Sequence, residues 1–155
     1  MKSSKRLSQT PFPPYSHLPG KTVHPNKPGG HQYEAGEIQT TDLLNPNKAL
    51  DHDIYCYGID LLNHGYFWES HVAFEAIWHV QGRKGDEANL LKALIKIGAA
   101  GLKQRLGQEE AAEGHLSRAF ELIEDLRAKN KFYCGLDLDE LLQLTPESIE
   151  IKPSS

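Results

Sequence analysis

The sequence predicts an all-α protein, a compact bundle of about four antiparallel helices with a short C-terminal helix and an extended N-terminal arm. Three observations support this fold class. From residue 45 onward, apolar residues recur at the spacing of a helix face. Glycines separate these periodic segments, and the short connections favour antiparallel packing of neighbouring helices. No stretch alternates apolar and polar residues in the manner of a strand.

The N-terminal part of the chain differs in composition from the rest. Residues 1–44 contain six of the nine prolines and have no helical periodicity. Such a segment either crosses the domain in extended form or remains without a fixed structure. The sequence therefore predicts an arm over residues 1–44 and a helical domain over residues 45–155.

Helix-boundary signals divide the domain into segments. Asn45 is a candidate N-cap and Pro46 fits the first helical position, so the first helix is expected to begin there. It should end near Asn63, with Gly65 as a left-handed cap. The remaining helices are expected at about residues 66–80, 86–106, 108–128 and 139–144. Gly98 and Gly101 inside the third helix indicate either close packing of helices within the bundle or a tight homodimer contact.

Composition bounds the function. The formal net charge is −4 and the basic residues are dispersed, which argues against a nucleic-acid partner. The longest apolar stretch contains lysines and is too short for a bilayer, so no membrane association is expected. Cys56 and Cys134 are far apart, which is typical of reduced thiols in a cytoplasmic protein. The basic N-terminus has no apolar core of a secretory signal.

The second helix, within "NHGYFWESHVAFEAIWHV" (residues 63–80), carries polar side chains among large apolar ones. Helical spacing places four of them in one row, called here the helix-two strip: Trp68, His71, Glu75 and Trp78. Phe67, Phe74 and Ile77 form the adjoining row and should be buried. His71 and Glu75 are i, i+4 neighbours. If the strip faces inward, the carboxylate must be paired, protonated or bound to a metal.

Several side chains near the strip have structural as well as functional interpretations. His71 and Glu75 could be a structural pair between packed helices, and the two tryptophans could belong to the core. Glu69 and His79 are expected on the solvated side, and His64 at the turn that it caps. His115, beside the apolar stripe of the fourth helix, is a further candidate for ligand binding.

Three segments, "YGIDLLNHGYFWESHVAFEAIWH", "LLKALIKIGAAGLKQRLGQ" and "GHLSRAFELI", resemble the bacterial domain of unknown function 309 family over roughly residues 55–126. The Pro/Gly/His-rich arm resembles the leader of its longer members. The resemblance implies an all-helical domain without an established activity. The family pattern H-E-x-x-E-x-x-W is matched by His71, Glu75 and Trp78, but Val72 stands where the first Glu is expected. Phe74 replaces a usual Trp and Ala93 a usual Gly.

Three functions remain open on this evidence. The first is a small-molecule or metal-binding domain centred on a buried His71–Glu75 cluster, with Trp68 and Trp78 as the apolar wall of its ligand site. Arg105 or Lys96 could hold an anion there. The second is an interaction or oligomerisation module without chemistry. The third is a hydrolase-like enzyme in which His71 and Glu75 activate water.

The histidines of the arm extend the first hypothesis. The segment "HPNKPGGH" could fold back over the helix-two strip and place His24 or His31 beside it. Together with His71 and Glu75 these would supply enough ligands for a divalent metal such as zinc. Otherwise the arm is a lid that excludes water, or a plain tail.

Overall fold

The structure is a computed structural model that describes residues 5–22, 24–30 and 38–153. A single turn of 3-10 helix (Ala49–Asp51) leads into four long helices. These are α1 (Asp53–Asn63), α2 (Phe67–Val80), α3 (Asp86–Arg105) and α4 (Glu109–Arg127). A hairpin of β1 (Phe132–Tyr133) and β2 (Leu136–Asp137) and a short α5 (Leu138–Leu141) complete the fold. The predicted all-helical bundle with its short last helix is confirmed.

The start of the first helix was predicted wrongly. His52 has an extended backbone (ψ 111°) that separates the 3-10 turn from α1, and its imidazole accepts a hydrogen bond from Tyr55 N–H as the N-cap. Asn45 instead accepts a hydrogen bond from Asn47 N–H in a local turn. Asn47 N–H thus bonds the side chain two residues before it rather than a helical carbonyl.

Short connections make each helix pack on the one before it. Helix α1 packs on α2, α2 on α3, and α3 on α4, while α5 packs on the far end of α4. Gly65, with φ +85°, forms the left-handed cap expected after α1. The hairpin after α4 was not predicted, because two residues per strand are too few to display alternation. Its antiparallel register pairs Phe132 with Asp137 and Tyr133 with Leu136.

The core lies between α1, α2, α3 and α4. Its largest fully buried side chains are mainly aliphatic residues together with Tyr55 and Phe74. Gly101 sits directly against the Phe67 ring, where a Cβ atom would come within 2.7 Å of the ring carbons. Gly98 faces Ser70 and the Phe67 carbonyl in the same way. The glycines of α3 therefore serve helix packing inside the bundle, the first of the two predicted interpretations.

The arm lies across α1 and α2 where it is described. Residues 6–12 contact α1, while His17 and His24 contact the beginning of α2 and Ser16 contacts the end of α3. None of the helices in the described part of the chain has the length and apolar character needed to cross a membrane.

Candidate functional site

The inward face of α2 is apolar, as predicted. Phe67, Phe74 and Ile77 are buried, and the Phe74 ring fits against Gly58 of α1. Trp78 is half-buried, packs on the core and has the guanidinium of Arg83 over its ring. The helix-two strip therefore lies at the boundary between the core and the surface, since the adjoining row occupies the inward direction.

His71 and Glu75 are adjacent, but the prediction that they form a buried cluster is wrong. His71 Nε2 lies 3.5 Å from a Glu75 carboxylate oxygen, and the two side chains are 34% and 46% exposed. His79 Nε2 lies 3.8 Å from the other oxygen, so the carboxylate stands between two imidazoles. The His71 ring also uses Nδ1 in a 3.0 Å hydrogen bond with the Trp68 carbonyl. Exposed pairs of this kind contribute about 1 kcal/mol or less.

A shallow groove of about 320 Å³ runs beside Glu75. Its walls are one face of α2, with Val72 and His79, and the chain segment that contains Ile38 and Thr40. Val72, where the sequence resemblance implies a glutamate, thus lines the groove directly. A single carboxylate flanked by imidazoles could exchange protons with a molecule held there.

The arm brings two more imidazoles to the strip. The rings of His17, His24 and His71 surround the Trp68 indole at centroid distances of 5.2, 5.4 and 5.7 Å, all edge-on. His24 therefore does lie beside the strip, whereas His31 is outside the described residues. Across the described ranges, no group of three or more His, Cys, Asp or Glu side chains is arranged to hold a metal ion.

A buried carboxylate on α1 holds the arm. Asp60 is 1% exposed and accepts hydrogen bonds from Leu7 N–H and Ser8 N–H, each at 2.8 Å, and from Arg6 Nε at 3.0 Å. All of these donors belong to the arm. A buried carboxylate without donors would cost several kcal/mol, so α1 and the arm depend on each other at this point.

Aromatic contacts continue the arm's path toward α2. The Tyr57 hydroxyl donates to the Pro11 carbonyl at 2.8 Å. The next residue, Phe12, lies against the rings of Tyr57, His64 and Tyr66, with centroid distances between 4.9 and 6.4 Å. The Arg6 guanidinium covers the Phe12 ring at 3.9 Å. The arm therefore presents an arginine and an aromatic side chain to separate contacts on the bundle.

Glu69 was predicted on the solvated side, and this is wrong. It is 1% exposed and accepts a 2.8 Å hydrogen bond from His17 N–H. A carboxylate in a helix is normally placed on the exposed face, and the helical period alone does not contradict that placement. The missing information is the backbone donor from a segment fifty residues away in the chain. Neither Asp60 nor Glu69 can be identified as an arm contact without it.

His115 and Lys96 lie elsewhere, where α3 meets α4. Burial, with the neighbouring charges of Arg118, Lys96 and Lys103, lowers the pKa of His115. Burial, with Lys92 and Arg118, also lowers the pKa of Lys96. The partner of His115 is Arg118 on its own helix, whose Nη2 lies 3.2 Å from His115 Nδ1, and not a residue of the helix-two strip.

Arg105 is at the other end of α3, beside a cleft of about 490 Å³. It donates from Nη1 to the Gly65 carbonyl at 2.6 Å, and its guanidinium lies 4.7 Å from the Phe67 ring centroid. The segment that contains Pro146 and Glu147 also lines the cleft.

The sequence was compared with family models, curated proteins and solved structures. Residues 55–114 match the family described as "Domain of unknown function (DUF309)". No curated protein and no solved structure matches the chain. The matched segment covers α1, α2, α3 and the first residues of α4, and therefore contains Asp60, Glu69 and the helix-two strip. Over residues 55–114 the chain is therefore similar to the domain of unknown function 309 family.

Proposed function

We propose that the domain is an interaction module that binds an extended polypeptide segment across α1 and α2. In the chain as it stands, its own arm occupies this groove. One observation carries the proposal: Asp60, a buried carboxylate of the bundle, is satisfied by an arm side chain and two successive arm backbone N–H groups. Backbone recognition of this kind accepts an extended segment largely independently of its sequence.

Side-chain contacts add specificity to this backbone recognition. An arginine at the position of Arg6 forms an ion pair with Asp60. Because the Asp60 carboxylate is buried, it favours a positively charged side chain at this position. An aromatic residue six positions later enters the contact made by Tyr57, His64 and Tyr66. The preferred partner is therefore an extended, proline-containing segment with an arginine followed by an aromatic residue.

Tethering explains how one groove can serve both the arm and a partner. A segment joined to the bundle by a short linker experiences an effective concentration of about millimolar. A separate partner displaces the arm only if its concentration exceeds this effective concentration or if its affinity for the groove is higher. The arm therefore weakens the apparent affinity of the bundle for partners without abolishing binding. Only partners that compete successfully with the arm then bind to the bundle.

Cleaving the linker in the folded protein tests the proposal. A protease site inserted between residues 30 and 38 allows the arm to be cut from the bundle after folding. We expect the two fragments to remain together in size-exclusion chromatography. A fluorescent synthetic peptide of residues 1–30 should then exchange into the bundle with a measurable affinity.

Peptide variants provide the matched controls. Replacing Arg6 or Phe12 by Ala in the peptide should weaken its binding by at least about tenfold each, which corresponds to about 1.4 kcal/mol. Replacing Gln9 by Ala should leave the affinity within about twofold, because the Gln9 side chain is exposed. Loss of the arm on cutting with no exchange of the peptide, or equal affinity of all variants, would refute a recognition groove.

One observation supports the predicted ligand site at His71 and Glu75. Glu75 lies between two imidazoles and beside a groove of about 320 Å³, which suits a small molecule that carries a positive charge or a transferable proton. A metal at this place has less support, since the described residues offer no three-ligand group. Metal analysis of the purified, untagged protein tests that alternative, and a stoichiometric metal lost in His71→Ala would favour it.

A further inference from the structure

We infer that the cleft between the α1–α2 turn, the end of α3 and the C-terminal segment binds a small zwitterion of the amino-acid type. The cleft adjoins the segment-binding groove on α1 and the beginning of α2, because His64 lies in both and Ser16 of the arm accepts a hydrogen bond from Arg105. The cleft has a volume of about 490 Å³, which is within the range of small-molecule sites, roughly 300–1,000 Å³.

The positive side of the cleft is Arg105. Its guanidinium is held by the Gly65 carbonyl at 2.6 Å and Ser16 Oγ at 3.4 Å, both through Nη1, and by the Phe67 ring. These partners are uncharged. The N–H groups on Nη2 and Nε make no hydrogen bond with the described residues, so a planar pair of donors remains for a carboxylate.

The turn is shaped to admit this guanidinium. Gly65 has φ +85°, and a Cβ atom there would lie 2.6 Å from Arg105 Nη2. A side chain at this position would therefore displace the arginine from the cleft wall. The glycine that ends α1 thus also leaves space for the proposed anion-binding group.

The same cleft also has a negative charge in its lining. Glu147, in the segment after α5, lines the same cleft and is exposed. In the part of the chain that the structure describes, neither Arg105 nor Glu147 forms an ion pair within 4.0 Å. One cleft thus carries two opposite charges that do not neutralise each other directly. A molecule with a carboxylate at one end and an ammonium at the other would satisfy both.

Neutral polar groups complete the lining. Gln104 and Asn63 line the cleft, although the Asn63 side chain is committed to the backbone of Ile151. The buried Nε2 of His64, another lining residue, has no hydrogen-bond partner among the described residues. The Phe67 ring and Ile149 supply apolar contact for the carbon atoms of the ligand.

Thermal denaturation of the full-length protein with each free L-amino acid in turn tests the inference. At least one should raise the melting temperature by roughly 3–6 °C at about ten times its Kd, since it binds only the native state. Its N-acetyl derivative lacks the ammonium and its amide lacks the carboxylate, so each should lose most of the shift.

Two variants assign the effect to this cleft. Glu147→Gln, on an exposed segment, should keep the melting temperature without ligand and weaken binding of the free amino acid at least about tenfold. Arg105→Gln should weaken binding by at least about tenfold as well. It also loses the contacts with Gly65 and Phe67, so its melting temperature without ligand is expected to fall, and far-UV circular dichroism verifies its fold. No shift with any amino acid would overturn the inference. An equal shift with the N-acetyl derivative, or a response to inorganic phosphate alone, would overturn it as well.

Discussion

Asp60→Asn tests whether a buried carboxylate holds the arm. The substitution keeps the size of the side chain but replaces one acceptor oxygen by an NH₂ group. Three donors meet the carboxylate: Leu7 N–H and Ser8 N–H at 2.8 Å and Arg6 Nε at 3.0 Å. The asparagine side chain has one acceptor oxygen, whereas both oxygens of Asp60 accept hydrogen bonds from the arm. The NH₂ group of the asparagine must therefore face an N–H donor of the arm.

The magnitude follows from these contacts and has a ceiling. Hydrogen bonds to a charged group are worth about 1.5–3 kcal/mol each, so an independent sum for three would be about 4.5–9 kcal/mol. The sum is not reached, because the contacts share one arm and are not additive. Once the arm lifts off, residue 60 is hydrated, and the loss cannot exceed the free energy of docking the arm. We expect a loss of about 3 kcal/mol, near the lower value for a broken buried pair.

Two measurements check this expectation. The melting temperature followed by circular dichroism should fall by about 6–12 °C, at 2–4 °C per kcal/mol for a chain of this size. Hydrogen exchange by NMR should show loss of protection at the Leu7 and Ser8 amides, which donate to Asp60. Asp53→Asn is the matched control on the same helix, because Asp53 is exposed in the first turn of α1. It should cost less than about 1 kcal/mol and leave both amides protected.

One result would refute the reasoning. If Asp60→Asn costs less than about 1 kcal/mol and the Leu7 and Ser8 amides remain protected, other contacts hold the arm and Asp60 is not its anchor. A large loss of stability with both amides still protected would place the role of Asp60 inside the bundle instead.

Further predictions concern the core, the strip and pH. Gly101→Ala should destabilise by about 1–3 kcal/mol, since its Cβ would lie 2.7 Å from the Phe67 ring, whereas Gly114→Ala should be neutral or stabilise by up to about 1 kcal/mol. Chemical denaturation of the two helix-interior variants distinguishes these signs. Glu75→Ala should cost at most about 1 kcal/mol, and a loss of 3 kcal/mol or more would contradict the observed exposure. Burial, and then Glu87, raise the pKa of Cys134 from 9.0 to about 12, so the unfolded thiol ionises first and stability should fall as pH rises above about 9. Cys134→Ala should show a weaker alkaline loss in denaturant titrations.

Helix existence and type could be predicted because they depend on local patterns. The row of Phe67, Phe74 and Ile77 identifies the inward face of α2 without any knowledge of its neighbours. The beginning of α1 could not be predicted, since Asn45 and Pro46 satisfy every local rule for a helix start. What decides the outcome is His52, whose ring bonds both Tyr55 N–H and the Asp42 carbonyl.

The candidate site was harder to predict, because a sequence pattern infers burial from apolar residues and therefore does not identify a buried carboxylate. A periodic pattern assigns burial by apolarity, so it places Glu69 outside and treats the His71–Glu75 row as the unusual feature. The structure reverses this assignment for the carboxylates: Glu69 and Asp60 are buried, and Glu75 is half-exposed. The reversal depends on backbone donors of the arm, and a backbone N–H leaves no trace in amino-acid identity.

The position of Val72 connects the two parts of this site. The resemblance implies a glutamate there, three residues before Glu75, and both positions line the groove beside α2. Two carboxylates at i, i+3 would repel each other unless a cation or a proton lay between them. Valine removes that requirement, since Glu75 is then flanked only by His71 and His79. Ile38, from the segment that precedes the helical domain, packs against the cluster formed by Tyr57, Leu61 and Ala73. The groove is therefore partly apolar in this chain. A function that needs two carboxylates at this place is weakened here, while the arm contacts at Asp60 and Glu69 do not involve residue 72.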